Sequence, residues 1–249
     1  AYMPLSIATF ILFSATVPEL FAVIISIEGY KTTKYPHFLY MFFTWLFLWI
    51  GNLLLGFGYL FLNLIIYKIA IIITAPLAFA IMALVDSISR EHLDSFKVFI
   101  ITIISASLVI FAFDLDSVAL NTSILGEVTL AMKGFFMIFG SLTFIFSGVL
   151  WLYYMLKIHL TAPKSIKRYS WINLMGAILA GPGSIIAFSS GLVWIFPGAD
   201  YLFIGCGAFL CAYSFKKQPE LGYVLPFKVF KLMCINSESG ILLFKYNWD

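Results

Sequence analysis

Apolar residues fill seven separate stretches of this chain, each long enough to cross a bilayer at 1.5 Å per residue, and polar residues collect in the short segments between them. The stretches run from about Pro4 to Ile27, Phe38 to Phe61, Leu64 to Val85, Phe96 to Phe113, Ala131 to Leu156, Ser170 to Phe196 and Tyr201 to Phe215. A turn at Asn63 separates the second from the third, and the segment Asp114 to Leu130 reads as the longest polar loop. The pattern predicts an all-α membrane protein, a seven-transmembrane-helix bundle over residues 1–217 with a cytoplasmic tail over 218–249. The first apolar stretch has no basic residue before it and is longer than a signal-peptide core of about 7–15 residues, so it reads as a retained helix.

Charge sets the expected orientation. Lys31, Lys34, Arg90, Lys97, Lys157, Lys164, Lys167, Arg168, Lys216 and Lys217 flank the ends on one side, against Lys68 and Lys133 on the other. Short loops rich in Lys and Arg stay in the cytoplasm, which predicts an outside N-terminus, an inside C-terminus and a multi-pass protein of the cell membrane. Composition agrees, with 62% hydrophobic residues, 11% charged residues and a mean hydropathy of +1.02. A net charge of +3 with no basic patch among exposed aromatics gives no sign of a nucleic-acid partner. Membrane lipids are the expected surroundings.

Two features interrupt the apolar pattern. Glu19 follows Pro18 inside the first helix and is the one carboxylate predicted at membrane depth, where an ionisable group marks a proton relay or a paired charge. Gly181-Pro182-Gly183 falls near the middle of the sixth helix, where proline removes a hydrogen bond and glycine permits unwinding. Irregular backbone at that depth is tolerated against protein or a water-filled cavity, so this stretch reads as a ligand pocket or hinge. Ser184, Ser189 and Ser190 follow it, and Asn173 precedes it. Asn52, Thr74, Ser105, Ser107, Ser141 and Thr143 lie at comparable depth and either line a cavity or allow close helix packing. The candidate ligand-binding or hinge residues are therefore Glu19, Asn52, Asn173, Gly181, Pro182, Gly183 and Ser184.

No cofactor, metal or catalytic residue is expected. Cys206, Cys211 and Cys234 form no paired motif. His37, His92 and His159 fall on one predicted face, as zinc ligands of a membrane hydrolase would, but the last helix carries no histidine to complete such a site. That helix also has no buried lysine for a retinal chromophore. Asn121-Thr122-Ser123 matches a glycosylation acceptor on the predicted outer side. Tyr40, Trp45, Tyr59, Trp151, Tyr153, Tyr154, Trp171 and Trp194 lie near predicted boundaries, as headgroup-level rings do.

In the tail, Val229 to Ile235 and Ile241 to Tyr246 read as two strands joined by Asn236-Ser237-Glu238-Ser239-Gly240. The run from Phe230 to Phe244 is similar to the opening strands of longin or roadblock-like domains, which implies the start of a soluble domain. The seven helices resemble the sensor regions that precede signalling modules in prokaryotic receptors and membrane histidine kinases. That resemblance implies a receptor-like, non-enzymatic membrane sensor that couples a small-molecule or lipid ligand to a cytoplasmic signalling protein. A small proton-coupled secondary transporter and a structural subunit of a membrane complex are the alternatives.

Overall fold

The computed structural model describes residues 7–89, 95–122, 126, 128–189, 198–225, 231–235 and 242–247. Helices α1 (Ile7–Thr33), α2 (Pro36–Phe61), α3 (Leu64–Ile72), α4 (Thr74–Ser89) and α5 (Ser95–Ala112) come first. A hairpin of β1 (Val118–Thr122) and β2 (Val128–Met132) follows, then α6 (Gly134–Thr161) and α7 (Lys167–Ile178). A π-helical turn at Leu179–Gly183 leads into α8 (Ser184–Ser189), and α9 (Ala199–Lys217) precedes a second hairpin, β3 (Lys231–Ile235) and β4 (Leu242–Asn247). Among the described residues, five helices are long and apolar enough to cross a membrane: α1, α2, the α3–α4 rod Leu64–Ser89, α5 and α6. The described parts of the sixth and seventh predicted stretches are helical but differ from these. The sixth is broken by the π turn, and the 19-residue α9 carries Asp200 in its first turn and Lys216 and Lys217 in its last.

Local chemistry explains the sharpest turn. Leu62 adopts a left-handed conformation (φ 48°) at the end of α2, and the Asn63 side chain then caps α3 by accepting from the backbone N–H groups of Ile65 (2.9 Å) and Ile66 (3.1 Å). Pro36 opens α2 at a position whose N–H has no helical partner to lose. The segment expected to be a polar loop is instead a hairpin, registered Val118↔Met132 through Thr122↔Val128. Its short alternation of Val, Leu and Met with polar residues was masked by the flanking Asp114 and Asp116. The second hairpin falls where the tail pattern places it, with Lys231 opposite Asn247, and its turn lies outside the described residues.

Helix α1 packs on α2 and α9, α2 on the α3–α4 rod, α4 on α6, α6 on α7, and α7 on α9. Six rods thus close into a ring, and α5 lies outside it against α4 and α6. Small and polar residues face inward: α1 buries Ala8, Ala15, Glu19, Ala22, Ser26 and Gly29 along one stripe. Large apolar side chains such as Phe10, Ile65, Phe99, Ile110, Phe135 and Leu160 face outward. This inversion of the soluble pattern suits a surface covered by lipid, where close helix contact rather than hydrophobic burial drives packing. Two glycines of α9 bring helix backbones into direct contact. A Cβ on Gly207 would sit 2.4 Å from the Gly176 carbonyl oxygen, and one on Gly205 would sit 2.6 Å from that of Ala15, so α9 approaches both α7 and α1 backbone to backbone.

Gly198 meets Leu12 and Gly205 meets Ala15 and Glu19, so α1 and α9 run parallel, whereas Asn52 meeting Glu19 and Phe38 meeting Gly29 makes α2 antiparallel to both. One end of the ring therefore holds Lys31, Lys34, Lys216 and Lys217, and Lys216 pairs there with Glu28. The opposite end holds the β1–β2 hairpin. These are called the basic end and the hairpin end below.

Candidate functional site

Glu19 lies on the inward stripe of α1 and is fully buried. Asn52 of α2, 5% exposed, donates from Nδ2 to Glu19 Oε1 at 2.5 Å. Glu19 Oε2 is buried and has no hydrogen-bond partner among the described residues. Leaving such an oxygen unsatisfied costs roughly 1–3 kcal/mol, and more when it is charged, so this pair is the least comfortable polar contact in the ring. The packing of Gly205 against the Glu19 Cγ, 3.4 Å from a Cβ built there, holds the side chain in place.

Beside the pair, the ring encloses space. A cavity of about 80 Å³ lies between α2, α4, α6, the π turn and α9, walled by Trp45, Leu77, Phe144, Trp151, Gly181 and Ile204 among others. A smaller void of about 10 Å³, close to the room one water needs, adjoins it and is bordered by Asn52 and Tyr201. Leu48, Thr74, Leu77 and Phe144 line both, so the two spaces are neighbours, the larger bordered by the Trp45–Trp151 edge-to-face contact (5.9 Å) and the smaller by Asn52. The hydroxyls of Thr74, Thr143 and Ser147 donate to carbonyls of their own helices, at 2.7–2.8 Å, which leaves their oxygens as acceptors in the wall. Trp45 Nε1 is buried without a partner among the described residues and is a free donor.

The π turn explains why Gly181 reaches this wall. Pro182 cannot donate to the preceding turn, and the wider π turn accommodates its ring. Gly181 faces Gly148 of α6, where a Cβ would lie 3.8 Å from the Gly148 carbonyl oxygen, so two bare backbones border the cavity. Ser184 plays a different part from the expected one. Its Oγ donates to the carbonyls of Ala180 (2.9 Å) and Gly181 (2.8 Å), so its hydroxyl bonds the backbone of its own π turn.

Of the candidates read from sequence, Gly181 lines the larger cavity and Asn52 the smaller void, Glu19 is tied to Asn52 by their hydrogen bond, and Pro182 and Gly183 shape the turn. Asn173 does not join them. It is fully buried between α6, α7 and α9, where its Nδ2 donates to Met155 Sδ at 2.9 Å and its backbone oxygen receives the Cys211 thiol at 3.5 Å. Thr74 and Thr143 line the cavity, whereas Ser141 is exposed on the outer face of α6. Ser147, Trp45 and Trp151 are wall residues that sequence reasoning missed or placed at the membrane boundary; the spacing Thr143, Ser147, Trp151 at every fourth residue was the available signal. Ser190, His92 and Trp194 lie outside the described residues.

The histidines are separate. His37 packs against Phe38 (4.7 Å), Tyr223 (5.4 Å) and Tyr35 (5.6 Å) at the basic end, and His159 Nδ1 lies 3.1 Å from Ser170 Oγ. Among the described residues, no three His, Cys, Asp or Glu side chains gather as a metal ion requires. The chain matches no known protein family and no curated protein.

Proposed function

We propose that this chain is a multi-pass membrane sensor that binds a small apolar or lipidic ligand in the cavity between α2, α4, α6, the π turn and α9. The observation that carries the reading is the cavity itself, because its wall includes the π-helical turn, at Gly181. Its apolar surface, hydroxyl acceptors and indole N–H groups of Trp45 and Trp151 match an apolar molecule ending in a hydroxyl group. In this reading all seven rods cross the membrane, including α7–α8 and α9, with the hairpin end outside and the basic end inside. Ligand binding shifts a population between two packings of the π turn against α6 and α9. Helix α9 carries that movement to the segment after Lys217, where the β3–β4 hairpin contacts a cytoplasmic signalling protein.

Native mass spectrometry of the purified full chain tests this. A bound small molecule or lipid retained by the wild type and lost from Ser147→Leu, which fills the cavity, supports the reading. Identical retention by both sinks it.

A second reading, a small proton-coupled transporter, is favoured by one observation: the Oε2 of Glu19 has no partner among the described residues, and the Asn52 that holds its other oxygen borders the small void. In both readings Glu19 takes up and releases a proton as the packing changes, since a charge left unpaired there is too costly to persist. Proton-driven uptake into vesicles that disappears in Glu19→Gln selects the transporter.

A further inference from the structure

Toward the hairpin end from the Glu19–Asn52 pair, a second buried polar cluster collects. Tyr59 of α2 and Tyr67 of α3 meet edge to face at 5.8 Å and are hydrogen-bonded to one another. The Tyr59 hydroxyl donates to the Leu130 carbonyl at 3.0 Å, and that of Tyr67 bonds the Met132 backbone, so both latch strand β2 onto the ring. Asp200 lies in the first turn of α9, where its carboxylate accepts backbone N–H groups of Asp200 and Tyr201, as acidic groups do at helix N-termini. Its Oδ1 is nevertheless buried with no hydrogen-bond partner among the described residues. It faces Tyr59, Tyr67 and Tyr201.

Tyr201 links this cluster to Glu19. It interacts with both carboxylates, and it borders the small void together with Asn52. Tyr201 stands one helical turn before Gly205, the residue packed on Glu19, so Asp200 lies about 7.5 Å along α9 from the level of Glu19. The groups facing Glu19 are the amide of Asn52 from α2, and Tyr201 and Cys206 from α9, with Asp200 beyond.

We infer that Asp200 and Tyr201 form the proton-access path to Glu19 from the hairpin end, completed by one water in the void between Asn52 and Tyr201. This rests on the reading that Glu19 exchanges a proton. Hydronium gives a proton to the Asp200 carboxylate at its accessible edge; Tyr201 Oη accepts a proton from that carboxyl while releasing its own to the water, and the water passes one to Glu19 Oε2. Each hop forms one O–H bond and breaks one, so hydronium becomes water, Glu19 becomes neutral, and nothing is oxidised or reduced. The void supplies the volume of about one water, and Asn52 and Tyr201, which border it, supply two of the two to four polar partners it needs, with Glu19 next to it through Asn52.

Time-resolved infrared difference spectroscopy of the full chain in lipid nanodiscs after a pH jump tests the path. The carboxylic C=O band that vanishes in Glu19→Gln reports the Glu19 proton. The path predicts that Tyr201→Phe and Asp200→Asn keep this band at full amplitude but slow its appearance at least tenfold, while Cys206→Ala leaves the rate unchanged. Wild-type rates in Tyr201→Phe and Asp200→Asn, or slowing by Cys206→Ala alone, overturn the path and leave the proton at Glu19 standing. Absence of any band sensitive to Glu19→Gln overturns both.

Discussion

Replacing Asn52 by Leu removes the donor that satisfies half of the Glu19 carboxyl, and the consequence can be worked from the contact. Both side chains are buried, at 5% and 0% exposure, and the bond between them is the one hydrogen bond found for the Glu19 carboxyl among the described residues. A buried polar group stripped of its partner costs about 1–3 kcal/mol, so Asn52→Leu and Glu19→Leu each destabilise by about 2 kcal/mol. At about 2–4 °C per kcal/mol for a chain of this size, each single variant melts about 4–8 °C lower. The double variant removes donor and acceptor together, and an apolar pair of similar shape is nearly neutral. It therefore melts within a few degrees of the wild type, giving a coupling energy of about 3–4 kcal/mol in a double-mutant cycle. Thermal melting of the four proteins in one detergent provides the cycle. Strictly additive losses would refute the claim that Glu19 and Asn52 act as a buried unit.

Other expectations follow from single contacts. Gly207→Val puts side-chain atoms where only 2.4 Å separates a Cβ from the Gly176 carbonyl, so α7 and α9 must part; overpacking of this kind costs about 1–3 kcal/mol, and a melting point unchanged from wild type would contradict the close approach. Tyr59→Phe removes the hydroxyl that holds Leu130, a loss of about 1 kcal/mol, and amide exchange in 128–132 should quicken while that of α6 stays constant. Ser184→Ala strips the hydroxyl bonded to the Ala180 and Gly181 carbonyls, so exchange should quicken around the π turn without any effect on the Glu19–Asn52 pair. A cysteine placed at Asp116 should react with an impermeant thiol reagent on intact cells, and one placed at Lys31 should react only after lysis; the reverse pattern would invert the proposed orientation.

The helical rods were legible because long apolar runs between polar turns leave few other structures open. The interruptions were legible for the same reason: a carboxylate and a Gly-Pro-Gly stand out against an apolar background, and Gly181 lines the cavity while Glu19 is buried against Asn52. What escaped was whatever depends on rotation about a helix axis. Ser141, Thr143 and Ser147 look alike along α6, yet Thr143 and Ser147 share the cavity face and Ser141 points away from it. Asn173 was expected with the cavity because of its depth, but the side of α7 it occupies sends it to Met155 instead. Trp45 and Trp151 looked like boundary aromatics, and their facing each other across the ring depends on contacts between helices far apart in sequence. The β1–β2 hairpin was hidden because its strands are five residues each, too short to outweigh the polar residues around them.

The most direct test of the account is a density map of the full chain in lipid nanodiscs, bound to an antibody fragment that adds mass. The account predicts a molecule seated between Trp45, Ser147 and Gly181, with its polar end toward Trp45 Nε1 or the hydroxyl oxygens of the wall. A dry cavity closed by side chains, with partner density only against the β3–β4 hairpin, would contradict it and favour a structural subunit.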